Sequence, residues 1–249
     1  MSAADHFSRQ AEQYRANRPG YPPALFAWLA GVAPARDRAL DCATGSGQAA
    51  LGLAAHFSEV IATDLSRRQL AHAPPDPRVH YLAATAEHLP LADRTVDLVT
   101  VAQALHWFDL PAFYAEVRRI GRPGAVVAVW SYGLMRIDPA VDAVVTRLYA
   151  DILGPYWPPE RALVESGYRD LDFPFAPIPA QPPALHADWP LDRLLGYLAS
   201  WSATQRYKDA TGRDPVESVR DALGAAWGEA GATRPIAWPL ALRVGRILA

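Results

Sequence analysis

Two acidic residues and two glycines carry the first chemical signal in this chain. In the stretch Arg38–Gly47, RALDCATGSG, an apolar pair leads into Asp41, and Gly45 and Gly47 then turn the chain into a helix-like segment, QAALGLAAHF. A strand, a glycine turn and a helix start together hold nucleotide-like ligands, because glycine turns sharply and puts no β-carbon in the ligand's way. Asp64 ends the next strand-like run, VIATD, roughly 20 residues beyond Gly45. At that spacing a carboxylate takes both hydroxyls of a ribose. Asp64 could also cap the helix begun by LSRRQLAHA, and the two roles are compatible. Taken alone, GSGQAA satisfies the loose dinucleotide pattern, with Ala50 in last place. His106-Trp107-Phe108 form the second signal, after the strand-like run VDLVTVA. A histidine there can act as a general base or donate a hydrogen bond, since its ordinary pKa lies near neutrality.

These residues need a scaffold, and the pattern supplies one. Strands are expected at Arg38–Cys42, VIATD, VHYLAA, VDLVTVA and AVVAVW. Helices are expected at ALFAWLAGV, after Gly47 and at LPAFYAEVRRI. Runs of β-branched residues fit strands buried on both faces of a parallel sheet, and alternating strands and helices put helices on both faces. After Trp130 the pattern changes. Asp138-Pro139 and Asp214-Pro215 look like helix starts, LDRLLGYLASW reads as helix, and 155–190 reads as mostly irregular. The last stretch, PIAWPLALRVGRIL, reads as one final strand. The expected organisation is a single 1–249 domain. It comprises an N-terminal helical lid (1–37), a ligand-binding core (38–131), a mostly helical cap (132–232) and a closing strand (233–249).

Composition narrows the partners. Of 249 residues, 51% are hydrophobic and 20% charged, enough to bury a core. A net charge of −2 offers no basic field for nucleic acid. Cys42 is the only cysteine, so no internal disulfide forms, which suits a reducing compartment. No apolar run approaches the roughly 20 residues of a membrane span, and the N-terminal stretch lacks a signal-peptide apolar region. The expected location is cytoplasmic. The seven histidines are dispersed without metal-ligand spacing, so no metal is expected. The sequence carries no expectation about oligomeric state.

The ordered segments ALDCATGSGQAA, VIATDLS, AEHLPLADRTVDLVTVAQALHWF and RRIGRPGAVVAVW resemble the successive motifs of class I S-adenosylmethionine-dependent methyltransferases. They cover about residues 38–131. The flanking FSRQAEQYRANRPGYP, WPPERALVESGYRDLDFPF and GYLASWSATQRY are similar to a subgroup that includes trans-aconitate methyltransferase-like enzymes. The resemblance implies an α/β fold: a Rossmann-like, seven-stranded, mostly parallel sheet, with a helical substrate cap inserted after strand 5. It also implies cofactor positions. The backbone around Ala43, Thr44 and Gly45 would hold the methionine end, with Asp41 near the ammonium, and Gly47 would belong to the same cofactor-binding turn. Asp64 would take the ribose, and Leu65 would pack on the adenine. Ala86 and Glu87 would meet the adenine amino group, and Gln103 would lie beneath the methionyl part. Tyr14 and Arg18 would belong to the lid.

On that resemblance, Trp107 would shape the methyl-transfer zone by cation–π attraction to the sulfonium, worth about 0.5 to 2 kcal/mol. His106 would be its neighbour in catalysis. Tyr21, Trp130, Tyr132 and Trp201 are the candidate substrate contacts. The aromatic-rich cap, which also holds Tyr156, Trp157, Trp189 and Tyr207, suits a small, partly apolar or planar acceptor. A carboxylate oxygen is one candidate acceptor atom and would need no base. Two other readings stay open at this point: an NAD-dependent oxidoreductase, and a non-catalytic module that binds S-adenosylmethionine.

Overall fold

The computed structural model describes residues 18–229 and 231–248. Its first half alternates: α1 (Pro23–Val32), β1 (Arg38–Cys42), α2 (Gln48–Ala54), β2 (Glu59–Asp64), α3 (Arg67–Ala71), β3 (Val79–Ala83), β4 (Val96–Ala102), α4 (Leu110–Ile120) and β5 (Gly121–Tyr132). The second half is mostly helical: α5 (Pro139–Thr146), α6 (Arg161–Glu165), a two-residue β6 (Ala176–Pro177), β7 (Leu185–Pro190), α7 (Leu191–Ala199), α8 (Ser202–Thr211) and α9 (Glu217–Trp227). Strands β8 (Thr233–Trp238) and β9 (Leu240–Arg246) follow.

The main sheet has seven strands in the order β3-β2-β1-β4-β5-β9-β6. The first five run parallel, and β9 is antiparallel to both β5 and β6. Alternation along β5 shows how the sheet is sandwiched. Val127 and Val129 pack with Phe113, Val117 and Ile120 of α4 on one face. Val126, Ala128 and Trp130 pack with Leu25, Leu29 and Leu53 of α1 and α2 on the other. The strand order reverses between β1 and β4, and a crevice opens at the carboxyl ends of strands at such a point.

The second half has its own apolar cluster, in which Trp189, Trp227, Trp238, Leu194 and Leu198 are buried. Asp138 caps α5, accepting N–H bonds from Ala140 at 2.9 Å and Val141 at 3.1 Å. The helix then widens into a π-helical stretch, Arg147–Ile152. The second cap-and-proline pair behaves differently: Asp214 accepts from the Val216 N–H in a turn, and α9 starts only at Glu217. A further correction concerns the last stretch, which is two strands and not one. Pro239 separates β8, which pairs with β7 in a two-stranded ribbon, from β9, which enters the main sheet. A proline has no N–H for a ladder, and that breaks the run.

Candidate active site

The loop after β1 is built around two carboxylates. Asp64, at the end of β2, accepts the Gly45 N–H through one oxygen and the Ser66 N–H through the other, each at 2.8 Å. It thereby ties the glycine turn to the neighbouring strand. Burial raises its pKa, and the two N–H bonds oppose that rise. Asp41 sits below the loop and is 1% exposed. Its oxygens accept from Thr44 Oγ1 at 2.5 Å and Thr100 Oγ1 at 2.9 Å. Burial pushes its pKa up to about 6 despite those bonds.

Backbone strain gathers at the same edge. Ala43 (φ 55°) and Gln103 (φ 58°), just beyond β1 and β4, are non-glycine residues in the left-handed region. Each such residue costs about 1–3 kcal/mol and persists only where its surroundings hold it, typically around ligand sites. Gly45 (φ 58°) and Gly47 (φ 83°) complete the turn.

Ala43, Gly45, Asp64 and Gln103 border an open crevice at the carboxyl ends of the strands. Asp64, Leu65 and Ser66 form its β2 wall, Ala86 and Glu87 its β3 wall, and Gln103 and Trp107 its β4 wall. The Glu87 carboxylate accepts the Asp109 N–H at 3.1 Å. Leu65 is 62% exposed, an apolar surface left open on the crevice. The buried Gln103 Nε2 has no hydrogen-bond partner among the described residues, which leaves one donor for a ligand.

A second hollow adjoins the crevice under the cap. Arg18, Gln103, Trp107 and Tyr132 line both spaces. Arg18 reaches the Tyr132 hydroxyl and the Ser200 carbonyl, each at 3.4 Å, and lies 5.2 Å from the Tyr197 ring centroid. His106 lies in the hollow beside Trp107, with ring centroids 4.7 Å apart. Its Nδ1 is 2.9 Å from the hydroxyl of Tyr168. Burial, and then the charge of Arg161, lower the His106 pKa to about 4, so the ring is neutral. A Tyr168 hydroxyl that donates to Nδ1 leaves the proton of the neutral ring on Nε2.

Most of the expected residues meet at these two spaces: Arg18, Tyr21, Ala43, Thr44, Gly45, Asp64, Leu65, Ala86, Glu87, Gln103, His106, Trp107, Tyr132 and Trp201. Three do not. Asp41 faces its two threonines rather than the crevice. Gly47 caps α2 from behind the turn, where an added Cβ would come within 2.5 Å of the Tyr81 hydroxyl. Trp130 is fully buried beneath the sheet, edge-on to Tyr21 at 5.4 Å, and contacts no substrate space. Tyr14 lies outside the described residues. Phe108, the third member of the His106-Trp107-Phe108 signal, lines the crevice, and sequence reasoning missed Gln69 there and Arg161 and Tyr197 in the hollow. No motif marks the last two, because the cap's packing brings them there. Among the described residues no group of three or more His, Cys, Asp or Glu could hold a metal. No helix there is long and apolar enough to cross a membrane.

Comparison with known proteins agrees with this architecture. Residues 40–129 match the family model described as a methyltransferase domain. A Dictyostelium discoideum protein that bears a methyltransferase name is 34% identical over 227 residues, covering 90% of this chain and 86% of its own. The structure of an Anaeromyxobacter dehalogenans protein, described as a type II methyltransferase, is 53% identical with a TM-score of 0.87. It covers 93% of this chain and 98% of that one. A malonyl-[acyl-carrier protein] O-methyltransferase of Dechloromonas aromatica is 37% identical over 116 residues, 45% of this chain and 41% of its own. The chain belongs to the class I S-adenosylmethionine-dependent methyltransferases, and it is an enzyme of that family. The similarity to the trans-aconitate subgroup receives no support from these relatives.

Proposed function

We propose that the protein transfers the methyl group of S-adenosylmethionine to a small organic acceptor bound under the cap, at a carboxylate oxygen. One observation carries this reading: the crevice and the hollow share Arg18, Gln103, Trp107 and Tyr132, so a donor in the first and an acceptor in the second would meet at these side chains. The crevice fits the cofactor. Asp64 would accept the ribose hydroxyls with the lone pairs its two N–H bonds leave free. Leu65 offers a flat apolar surface for the adenine, and the spare Gln103 donor suits the methionyl end. When bound, S-adenosylmethionine supplies an electrophilic methyl on a good leaving group.

The chain's own residues would then align and dry the reaction, and alignment supplies much of the acceleration of a displacement. Trp107 would flank the positive sulfur. His106 would donate Nε2–H to the acceptor instead of removing a proton. The hollow's lining includes two arginines and no carboxylate, which favours an anionic acceptor. That the Dechloromonas aromatica relative is named for O-methylation is consistent with this and no more. Residues 132–232 would act as the acceptor cap.

The test is binding followed by transfer. S-adenosylhomocysteine at about 100 times its dissociation constant should add about 2.7 kcal/mol of stability. Labelled methyl should then pass to an acid in a metabolite extract. No thermal shift at about 1 mM ligand, or label recovered only on neutral amines or alcohols, contradicts the proposal.

A further inference from the structure

Arg161 is held in an unusual way for a cap residue. It opens α6, and its side chain is only 23% exposed. Its Nε donates to the Tyr149 hydroxyl at 2.8 Å, and its guanidinium lies 4.8 Å from the Trp157 ring centroid and 5.3 Å from that of Tyr149. The group is thus fixed in plane and position before any ligand arrives. Its charge is poorly matched. Glu165, one turn on, is 3.9 Å from Nε, and the Glu165 carboxylate is instead hydrogen-bonded by the Tyr149 hydroxyl. The two terminal Nη nitrogens have no hydrogen-bond partner among the described residues, although Arg161 lines the hollow. The neighbouring His106 is neutral, its pKa lowered by burial and then by the charge of Arg161.

A preoriented guanidinium with its terminal fork open recognises a planar oxyanion by two parallel charge-assisted bonds. The indoles of Trp157 and Trp201 line the same space, and such rings accept a flat apolar body. We propose that Arg161 is the specificity residue of the acceptor hollow: it docks the carboxylate of a small, flat organic acid. This rests on the reading of the hollow as the acceptor site. Arg161 touches the acceptor and not the donor.

Calorimetry tests it with defined probes, on enzyme saturated with S-adenosylhomocysteine. Benzoate, phenylacetate and trans-cinnamate are each titrated beside the matching neutral amide. At least one acid should bind about tenfold or more tightly than its amide. In Arg161→Gln that acid should lose about tenfold while the amide and S-adenosylhomocysteine bind as before, and Arg161→Lys should recover part of the loss. The acid–amide comparison uses the unaltered protein, so it stands even if a variant folds poorly. Equal binding of acids and amides, an unaffected Arg161→Gln, or no acid binding at about 10 mM overturns the assignment. Failure of S-adenosylhomocysteine itself to bind would overturn the cofactor reading beneath it instead.

Discussion

The hydroxyl of Tyr168 lies 2.9 Å from Nδ1 of His106, and both rings are largely withdrawn from water. Tyr168 holds a left-handed backbone (φ 61°), and its carbonyl accepts from Arg243 at 2.5 Å. The pair is fixed from the sheet side. That contact occupies Nδ1 and leaves Nε2 as the ring nitrogen for a ligand.

This makes the protonation of His106 measurable. Proton–nitrogen spectra, assigned by the signal lost in His106→Gln, should show a neutral Nε2–H ring throughout pH 6–8, with a midpoint near 4. The sign for stability follows. Because the folded pKa lies below the unfolded value near 6.5, the unfolded chain binds the proton more readily between them. The contribution of His106 to stability is complete above about 6.5 and is lost as pH falls toward about 4. A midpoint near neutrality would restore the general-base reading.

Asp41 runs the opposite way. Its folded pKa of about 6 exceeds the unfolded value. The native state holds the proton more tightly, so its contribution is greatest in acid and declines as pH rises from about 4 to about 6, by up to about 3 kcal/mol. Asp41→Asn should lack this decline. The melting temperature of the unaltered protein should therefore fall relative to that of the variant across this interval. A constant difference would show that the Asp41 proton is not coupled to folding.

In the proposed binding mode, Asp64 joins the turn to the cofactor. Replacing it with alanine frees the Gly45 and Ser66 N–H groups and removes the proposed ribose acceptor. Hydrogen bonds to a charged group are worth about 1.5–3 kcal/mol, so the dissociation constant of S-adenosylhomocysteine should rise about 10- to 100-fold by calorimetry. An affinity within about threefold of the original would remove Asp64 from the ribose site.

Much of the fold of the first half is legible in the sequence, and the reason is local. β4 is buried on both faces over nearly its whole length, so five of its seven residues are apolar, with Asp97 and Thr100 the exceptions. The place of Asp64 at the end of β2 is legible because it depends on one strand, one turn and one helix. Orientation was harder to read. Asp41 and Asp64 end adjacent strands, yet only the threonines at 44 and 100 decide that the first points down. Trp130 and Tyr132 lie on the same strand, yet one is sealed against Tyr21 and the other reaches the hollow. In the cap, Arg161 gains its meaning from Tyr149 and Trp157, and no spacing rule announces a stacked guanidinium. Pro239 was visible in the sequence, but the partners that split β8 from β9 were not.

The apolar cluster of the cap is separate from the two clusters that sandwich the sheet. Selection can therefore act on the two halves unequally. If the hollow is the acceptor site, replacements among the cap's buried tryptophans and leucines would reshape it and leave the strand ends of the proposed donor crevice in place. After gene duplication, one copy would then take up a new acceptor while inheriting its methyl chemistry intact.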